Sequence, residues 1–320
     1  MHLDAADDDF DTAWDFCALG RQTGRVIDVA RLERAMPWVL RIVWIGVLVA
    51  GGAAIDEATA TSTDTFGAAI RYVSLAGWFA GVCAMALPAV VSLTAVRLLV
   101  PLAVPVAVLA LVSGADPASG VAFLVLAVLA TVIAGSALLG RVFVQASAYG
   151  EEDRHLLRPP AAYLLAAGLS WAVWATLTIV GVILLADGRW ITGAASALAA
   201  VGVGVLGWPR WHRLSRRWFV IVPIGVVIHD QLVLAETVML RRQEIAGIRL
   251  APAGTEAADL TGPAAGHAIE VATHESTTVI FAATPQEPRG TAIHLRSCLV
   301  APSRPGEALR AAARRRLPVG

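Results

Sequence analysis

The chain has 320 residues, 57% of them hydrophobic and only 16% charged, with a mean hydropathy of +0.67, which excludes an ordinary soluble domain. Its 25 basic and 25 acidic residues cancel, so no overall field attracts nucleic acid, and none is expected as a partner. Every basic residue is arginine; with abundant Ala, Val and Gly this reads as the codon bias of a GC-rich bacterial genome and says little about recognition.

The first 36 residues open on Asp4, Asp7, Asp8, Asp9, Asp11 and Asp15. A secretory signal opens on positive charge followed by an early apolar core, so no cleavable signal is expected. Residues 11–36 then set Trp14, Phe16, Val26, Ile27, Val29 and Leu32 against Asp15, Arg25, Asp28, Arg31 and Glu33. That spacing fits a helix lying on the inner membrane surface, or equally a partly disordered lead-in.

Six apolar stretches follow: Trp38–Ala54, Tyr72–Ser92, Leu98–Ser113, Gly120–Gly140, Pro160–Ala186 and Ile191–Trp208. About 20 apolar residues cross the hydrocarbon core as a helix, because lipid offers the backbone no other hydrogen-bond partner. The fold class predicted is therefore a polytopic six-helix transmembrane bundle over residues 37–208. None of the six stretches holds Asp, Glu, His or Lys, so a proton relay or ion site within the bilayer is not expected. Arg41 falls one turn inside the first stretch, while Arg71 and Arg97 flank the second and third, where all three can snorkel. The third is short and holds Pro101 and Pro105, which predicts a kink or a start nearer Val90.

Arginines set the orientation. Arg21, Arg25, Arg31 and Arg34 precede the first span, Arg141, Arg154 and Arg158 join the fourth to the fifth, and Arg210, Arg213, Arg216 and Arg217 follow the sixth. The opposite loops carry only Arg189 beside Asp187, so the positive-inside rule puts both termini in the cytoplasm of a multi-pass plasma-membrane protein. Gly77 and Gly81, and the Gly/Ala-rich sixth span, predict close helix packing, within this chain rather than across a dimer. Trp38, Trp190, Trp208 and Trp211 fall at predicted interfaces, and Trp171 and Trp174 deeper.

The loop from Tyr149 to Pro160 is the most charged stretch between spans. Glu151, Glu152, Arg154 and Arg158 there form either a docking surface for the C-terminal domain or a partner, or a solvated turn whose Pro159 and Pro160 begin the next helix. Residues 209–217 read as a basic juxtamembrane linker, in which Arg210, Arg213, Arg216 and Arg217 contact lipid headgroups or serve as a plain stop-transfer anchor. Runs at 218–222, 226–229, 232–240, 248–251, 268–273, 277–282 and 291–300 are rich in β-branched residues and punctuated by turn residues, which predicts a small antiparallel β domain over 218–320. His274-Glu275-Ser276 reads as a hairpin turn. A last helix is capped by Ser303, starts near Pro305 and ends in Arg314, Arg315 and Arg316, a second set for headgroup or partner contact.

The hairpin from Arg217 to His229, the stretch from Leu240 to Ile248 and the closing helix over Pro302–Leu317 resemble the bacterial pleckstrin-homology-like (PH-like) domains. The resemblance covers about 100 of the 320 residues and implies seven strands, one C-terminal helix and a membrane-associated interaction module. The loop at 252–266 is longer than that pattern has. No HExxH, phosphate loop, nucleophile elbow, CxxC pair or dinucleotide fingerprint is present, and Cys17, Cys83 and Cys298 have no metal-ligand spacing. No enzyme activity, metal or cofactor is expected. The expected function is a membrane scaffold whose β domain binds a protein partner or the inner leaflet. Two others remain: a transporter or channel component for an uncharged or lipidic substrate, and a subunit of an envelope-lipid enzyme complex.

Overall fold

The computed structural model describes residues 29–282 and 290–320, so the expectation for residues 1–28 lies outside the described residues. From residue 29 onward the presumed lead-in is the first turns of a single helix, α1, Val29–Ala58. Thirty residues make a helix about 45 Å long, which exceeds a hydrocarbon core of about 30 Å. Its first turns therefore project beyond the bundle, toward the β domain.

Helices α2 (Asp64–Ala86), α3 (Val90–Leu99), α4 (Ala103–Val112), α5 (Pro117–Gly135), α6 (Ala137–Gln145), α7 (Ala161–Ala186) and α8 (Trp190–Ser215) follow. A 3₁₀ turn at Val100–Leu102 joins α3 to α4, so they form one kinked span from Val90 to Val112, as Pro101 and Pro105 predict. Among the described residues, six helical segments are long and apolar enough to cross a membrane. The chain is a multi-pass helical membrane protein. The fourth apolar run is shorter than expected: it breaks at Ser136, whose extended backbone ends α5 and whose hydroxyl caps α6 at Leu139. Hydropathy does not register such a break, because the residues that follow it, Ala137–Gly140, are themselves apolar.

Packing in the bundle is close and largely apolar. The Trp44 indole donates to the Trp78 carbonyl at 3.0 Å, and Trp78 returns the bond to Trp44 at 2.8 Å. Gly81 is needed there, since a Cβ would come within 2.7 Å of the Trp44 ring, whereas Gly77 faces open space. On α7, a Cβ at Gly181 would lie 3.1 Å from the Ala197 backbone nitrogen of α8, so small residues let these two helices touch along their length. The α7–α8 pair is tied to the other spans by Trp171 donating to the Leu98 carbonyl and by Thr94 bonding His212.

Charge does enter the bundle: Arg41 donates to the Met85 carbonyl at 2.8 Å, and Arg97, eight residues into its span, donates to the Ala134 carbonyl at 3.4 Å. The Ala134 carbonyl is one of those left open where α5 ends, so the Arg97 guanidinium sits at the negative end of a helix.

The rest of the described chain is a β domain with strands β1 (Asp153–Leu156), β2 (Arg217–Val222), β3 (Gly225–Asp230), β4 (Val238–Arg241), β5 (Ile245–Leu250), β6 (Ala258–Asp259), β7 (Ile269–Ile280) and β8 (Ala292–Val300), closed by α9, Pro305–Arg314. They form two four-stranded sheets, ordered β1-β2-β3-β4 and β5-β7-β8-β6. Phe219, Ile221, Val226 and Ile228 of the first sheet, Ile248, Val271 and Val300 of the second, and Ala308, Ala311 and Ala312 of α9 share one buried core.

Three expectations change here. His274–Ser276 is not a hairpin turn: β7 runs through it, with a bulge between Ala272 and Thr277 against β8. Thr273 holds that bulge, its hydroxyl donating to the Glu275 and Arg296 carbonyls. The run at 232–240 is strand only from Val238, because residues 233–235 bond instead to the end of β7. Ser303 does not cap α9; its N–H donates to the Leu156 carbonyl, and Arg304 stands at the N-cap without a side-chain capping bond.

Candidate functional site: the junction between bundle and β domain

The inter-span loop supplies the first strand of the β domain. β1 pairs antiparallel with β2, Leu156 opposite Trp218 and Asp153 opposite Ile221, and the Leu157 N–H donates to the Arg217 carbonyl. What links β1 to β2 is the whole α7–α8 membrane hairpin. The residues expected as a 209–217 linker are the last turns of α8, its C-cap Arg216 and the first residue of β2, so a single residue separates membrane helix from strand.

An exposed edge strand invites unwanted pairing, and the outer edge of β1 is covered by side chains of α6. The Gln145 amide both donates to the Glu152 carbonyl and accepts from the Arg154 N–H, each at 2.8 Å, in the manner of a neighbouring strand. Arg141 donates to the Arg154 carbonyl. At the other end Leu156 enters the bundle core against Gly140, where a Cβ would lie 2.9 Å from the Leu156 side chain.

Charged groups from four elements meet around β1. Arg141 of α6 binds Asp153 of β1 at 2.7 Å and faces Glu33 of α1 at 3.5 Å. Glu33 also pairs with Arg304, at the start of α9. Asp153 receives Arg314 from the far end of α9 at 3.2 Å, and Arg315 binds Glu151 at 2.6 Å. Since Glu33 and Arg304 touch, the start of the first span and the last helix lie on one side of the bundle.

His155, buried beside this network, accepts from Arg141 through Nδ1 at 2.6 Å, which leaves the proton on Nε2, 3.3 Å from Asp153. Burial first, and then the Arg141 guanidinium, push its pKa down to about 3. Burial alone would raise the Asp153 carboxyl, but Arg141, His155 and Arg314 hold it below the usual carboxylate range. The unfolded chain therefore binds a proton at His155 more readily than the folded chain between about pH 6.5 and 3, and stability falls as pH drops through that window. Asp153 acts in the same direction, its contribution present above its ordinary value and lost as pH falls through the depressed one. Wild-type protein is expected to lose about 1–2 kcal/mol between pH 7 and 5, and His155→Gln clearly less. Equal pH slopes for the two proteins in detergent-solubilised thermal unfolding would remove His155 from this role.

Deeper in the β domain, Arg217 and Asp230 form a bidentate pair at 2.8 and 2.6 Å, with side chains 1% and 0% exposed. Arg217 also donates to the Arg158 carbonyl at 2.6 Å and the Thr261 carbonyl at 3.2 Å. The expectation that Arg217 contacts headgroups is thereby corrected: all its donors face inward, because it is the first residue of a core strand.

Arg154 is likewise buried rather than free to dock a partner. Its guanidinium lies 4.7 Å from the Trp218 ring and 5.9 Å from the Tyr149 ring, and it pairs with Glu152 at 2.8 Å. Trp218 in turn stacks on His229. Arg158 reaches the His267 carbonyl, and Gly262 packs against Pro160 and Val233, so part of the long 252–266 loop is folded beneath the start of α7. Glu151, Arg154 and Arg158 thus engage this chain's own C-terminal domain, while Glu152 holds Arg154 from within the loop. The charge and the Pro-Pro of that loop were legible; the strand within it was not, because Asp153–Leu156 has neither alternation nor β-branched residues.

Arg210 and Arg213 remain exposed on the last turns of α8, beside Trp208, which stacks on His212; Arg216 is half-buried. Arg314, Arg315 and Arg316 lie elsewhere, at the end of α9 next to the β4–β5 turn, where Arg242 donates to the Arg315 carbonyl. Two of the three are engaged with acids of the inter-span loop. Among the described residues no three His, Cys, Asp or Glu side chains gather as a metal set. Cys298 is a buried thiol raised to about 12 by that burial and by Glu270. Comparison with protein-family models, with curated proteins and with solved structures returned no match.

Proposed function

We propose that the chain is a membrane-integral scaffold of the plasma membrane, both termini cytoplasmic, whose β domain is a PH-like interaction module held in fixed register to the spans. The carrying observation is that β1 comes from between two spans, so the domain is built on the bundle rather than tethered to it. Seven strands from Arg217 to Val300 and one closing helix match the element order of PH-like domains. A module fixed this way presents its outer surface at a set distance and angle from the bilayer. Arg210 and Arg213, beyond Trp208 at the end of the sixth span, suit anionic headgroups of the inner leaflet at about 1 kcal/mol each. The apolar, closely packed bundle core supports an anchoring role for the spans.

Proteoliposomes test this directly. Purified protein is expected to leave both solute flux and the dithionite accessibility of a fluorescent inner-leaflet phospholipid at the level of empty vesicles. Protein-dependent flux, or scrambling of the labelled lipid, would replace the scaffold with a transporter of an uncharged or lipidic substrate.

A further inference from the structure

The end of the β domain opposite the junction of β2 with α8 carries unneutralised positive charge around exposed apolar side chains. β2 leaves α8 at Arg217 and runs six residues, about 20 Å, before turning at Pro223 and Ile224. Pro223, Ile224, Arg241, Arg242 and Gln243 line a shallow depression there, with Ile224 63% and Met239 41% exposed. Arg242 holds the Arg315 carbonyl and so brings the end of α9, with exposed Arg316, alongside. Among the described residues neither Arg241 nor Arg316 has a carboxylate partner; the nearest acid in sequence, Glu244, accepts from the Arg241 backbone N–H. Arg315 is satisfied by Glu151.

The matching charge is in the same chain. Residues 1–28 hold seven aspartates against two arginines, a net charge of −5, and since the whole chain sums to zero the remainder carries +5. Phe10, Trp14 and Phe16 are interleaved with Asp7, Asp8, Asp9, Asp11 and Asp15. Anionic headgroups repel such a segment. Reach is sufficient: α1 starts at Val29, and Glu33 touches Arg304, from which α9 runs ten residues, about 15 Å, to Arg314. Twelve residues, 17–28, can span about 40 Å. A tether of that length gives an effective concentration in the millimolar range, enough for a contact too weak to form between separate molecules.

We propose that the basic, apolar-centred end of the β domain is a docking surface for the chain's own acidic N-terminal segment, residues 4–16. Aspartates pair with Arg241, Arg242 and Arg316, and an aromatic side chain covers Ile224. A cytoplasmic partner that uses this end must displace the segment first. The inference goes beyond the scaffold reading, and holds or fails whether or not the spans transport anything.

The test uses protein lacking residues 2–24 in phosphatidylcholine nanodiscs, with a fluorescein-labelled peptide of residues 1–24 added in trans and followed by anisotropy. Saturable binding is expected, weakened about tenfold between roughly 50 and 300 mM salt, and weakened at least about tenfold again by the triple substitution Arg241→Gln, Arg242→Gln, Arg316→Gln. A peptide with Asp7, Asp8, Asp9 and Asp11 changed to Asn leaves the folded protein untouched and is expected to bind as poorly. Absence of saturable binding, equal affinity for the Asn peptide, or equal binding to empty nanodiscs overturns the proposal.

Discussion

A fragment of residues 209–320, the natural choice for studying the β domain alone, is expected to remain unfolded. It lacks β1. Without that strand the outer edge of β2 is bare, Leu157 is missing from the core, and Arg217 loses the Arg158 carbonyl. Arg314 and Arg315 lose Asp153 and Glu151 as well. Each buried leucine side chain is worth about 1.5–3 kcal/mol and each ladder hydrogen bond about 0.5–1.5. Their sum is on the order of the whole stability of a small domain, about 5–15 kcal/mol. Restoring the strand should restore the fold. Residues 149–158 joined by a short Gly/Ser linker to residues 216–320 are expected to fold, since the natural ends of β1 and β2 lie side by side, Leu156 opposite Trp218. Circular dichroism and amide chemical-shift dispersion separate the two fragments. A cooperative unfolding transition in the 209–320 fragment would show that β1 is dispensable and that the domain is only tethered.

Asp230→Asn is expected to cost about 3–5 kcal/mol, because it leaves the Arg217 guanidinium charged and fully enclosed without its carboxylate. Asparagine can keep Oδ1 for Arg217 Nε and the Leu232 N–H, but its NH2 group then faces Arg217 Nη2, donor against donor. In detergent the β domain should unfold several degrees earlier, while the bundle, whose core takes only Leu156 and the edge of Trp218 from that domain, shifts less. Arg217→Met with Asp230→Leu should recover part of the loss, since an apolar pair of similar volume avoids the desolvation cost. Recovery will be incomplete, because the Arg158 and Thr261 carbonyls then lose their donor. A loss under about 1 kcal/mol for Asp230→Asn, read from chemical or thermal unfolding, would mean that water reaches the pair. Such a result would recast Arg217 as a surface residue after all.

The two cases show where pattern reading stops. Arg217 stands in a run of arginines after an apolar helix, and positional counting assigns the whole run to one role. Only the register of β2 tells Arg217, facing a core aspartate, from Arg213, facing outward. Likewise Tyr149–Pro160 is short, charged and proline-ended, which is how a solvated loop reads. The energy that makes four of its residues a strand is non-local: backbone bonds to β2, the Gln145 amide, and Leu156 pressed into the bundle.

Membrane insertion was decided by the sequence alone, since about 20 apolar residues in succession leave a backbone no alternative in lipid, whatever packs around it. The kink in the third span, the β character beyond Arg217 and the closing helix were legible for similar local reasons: proline lacks its N–H, and β-branched side chains crowd a helix. The break at Ser136, the bulge at 273–276, the buried Arg217–Asp230 pair and the strand taken from between two spans were decided by tertiary structure. Each depends on groups distant along the chain meeting in space, where desolvation and unmet backbone bonds outweigh local preference.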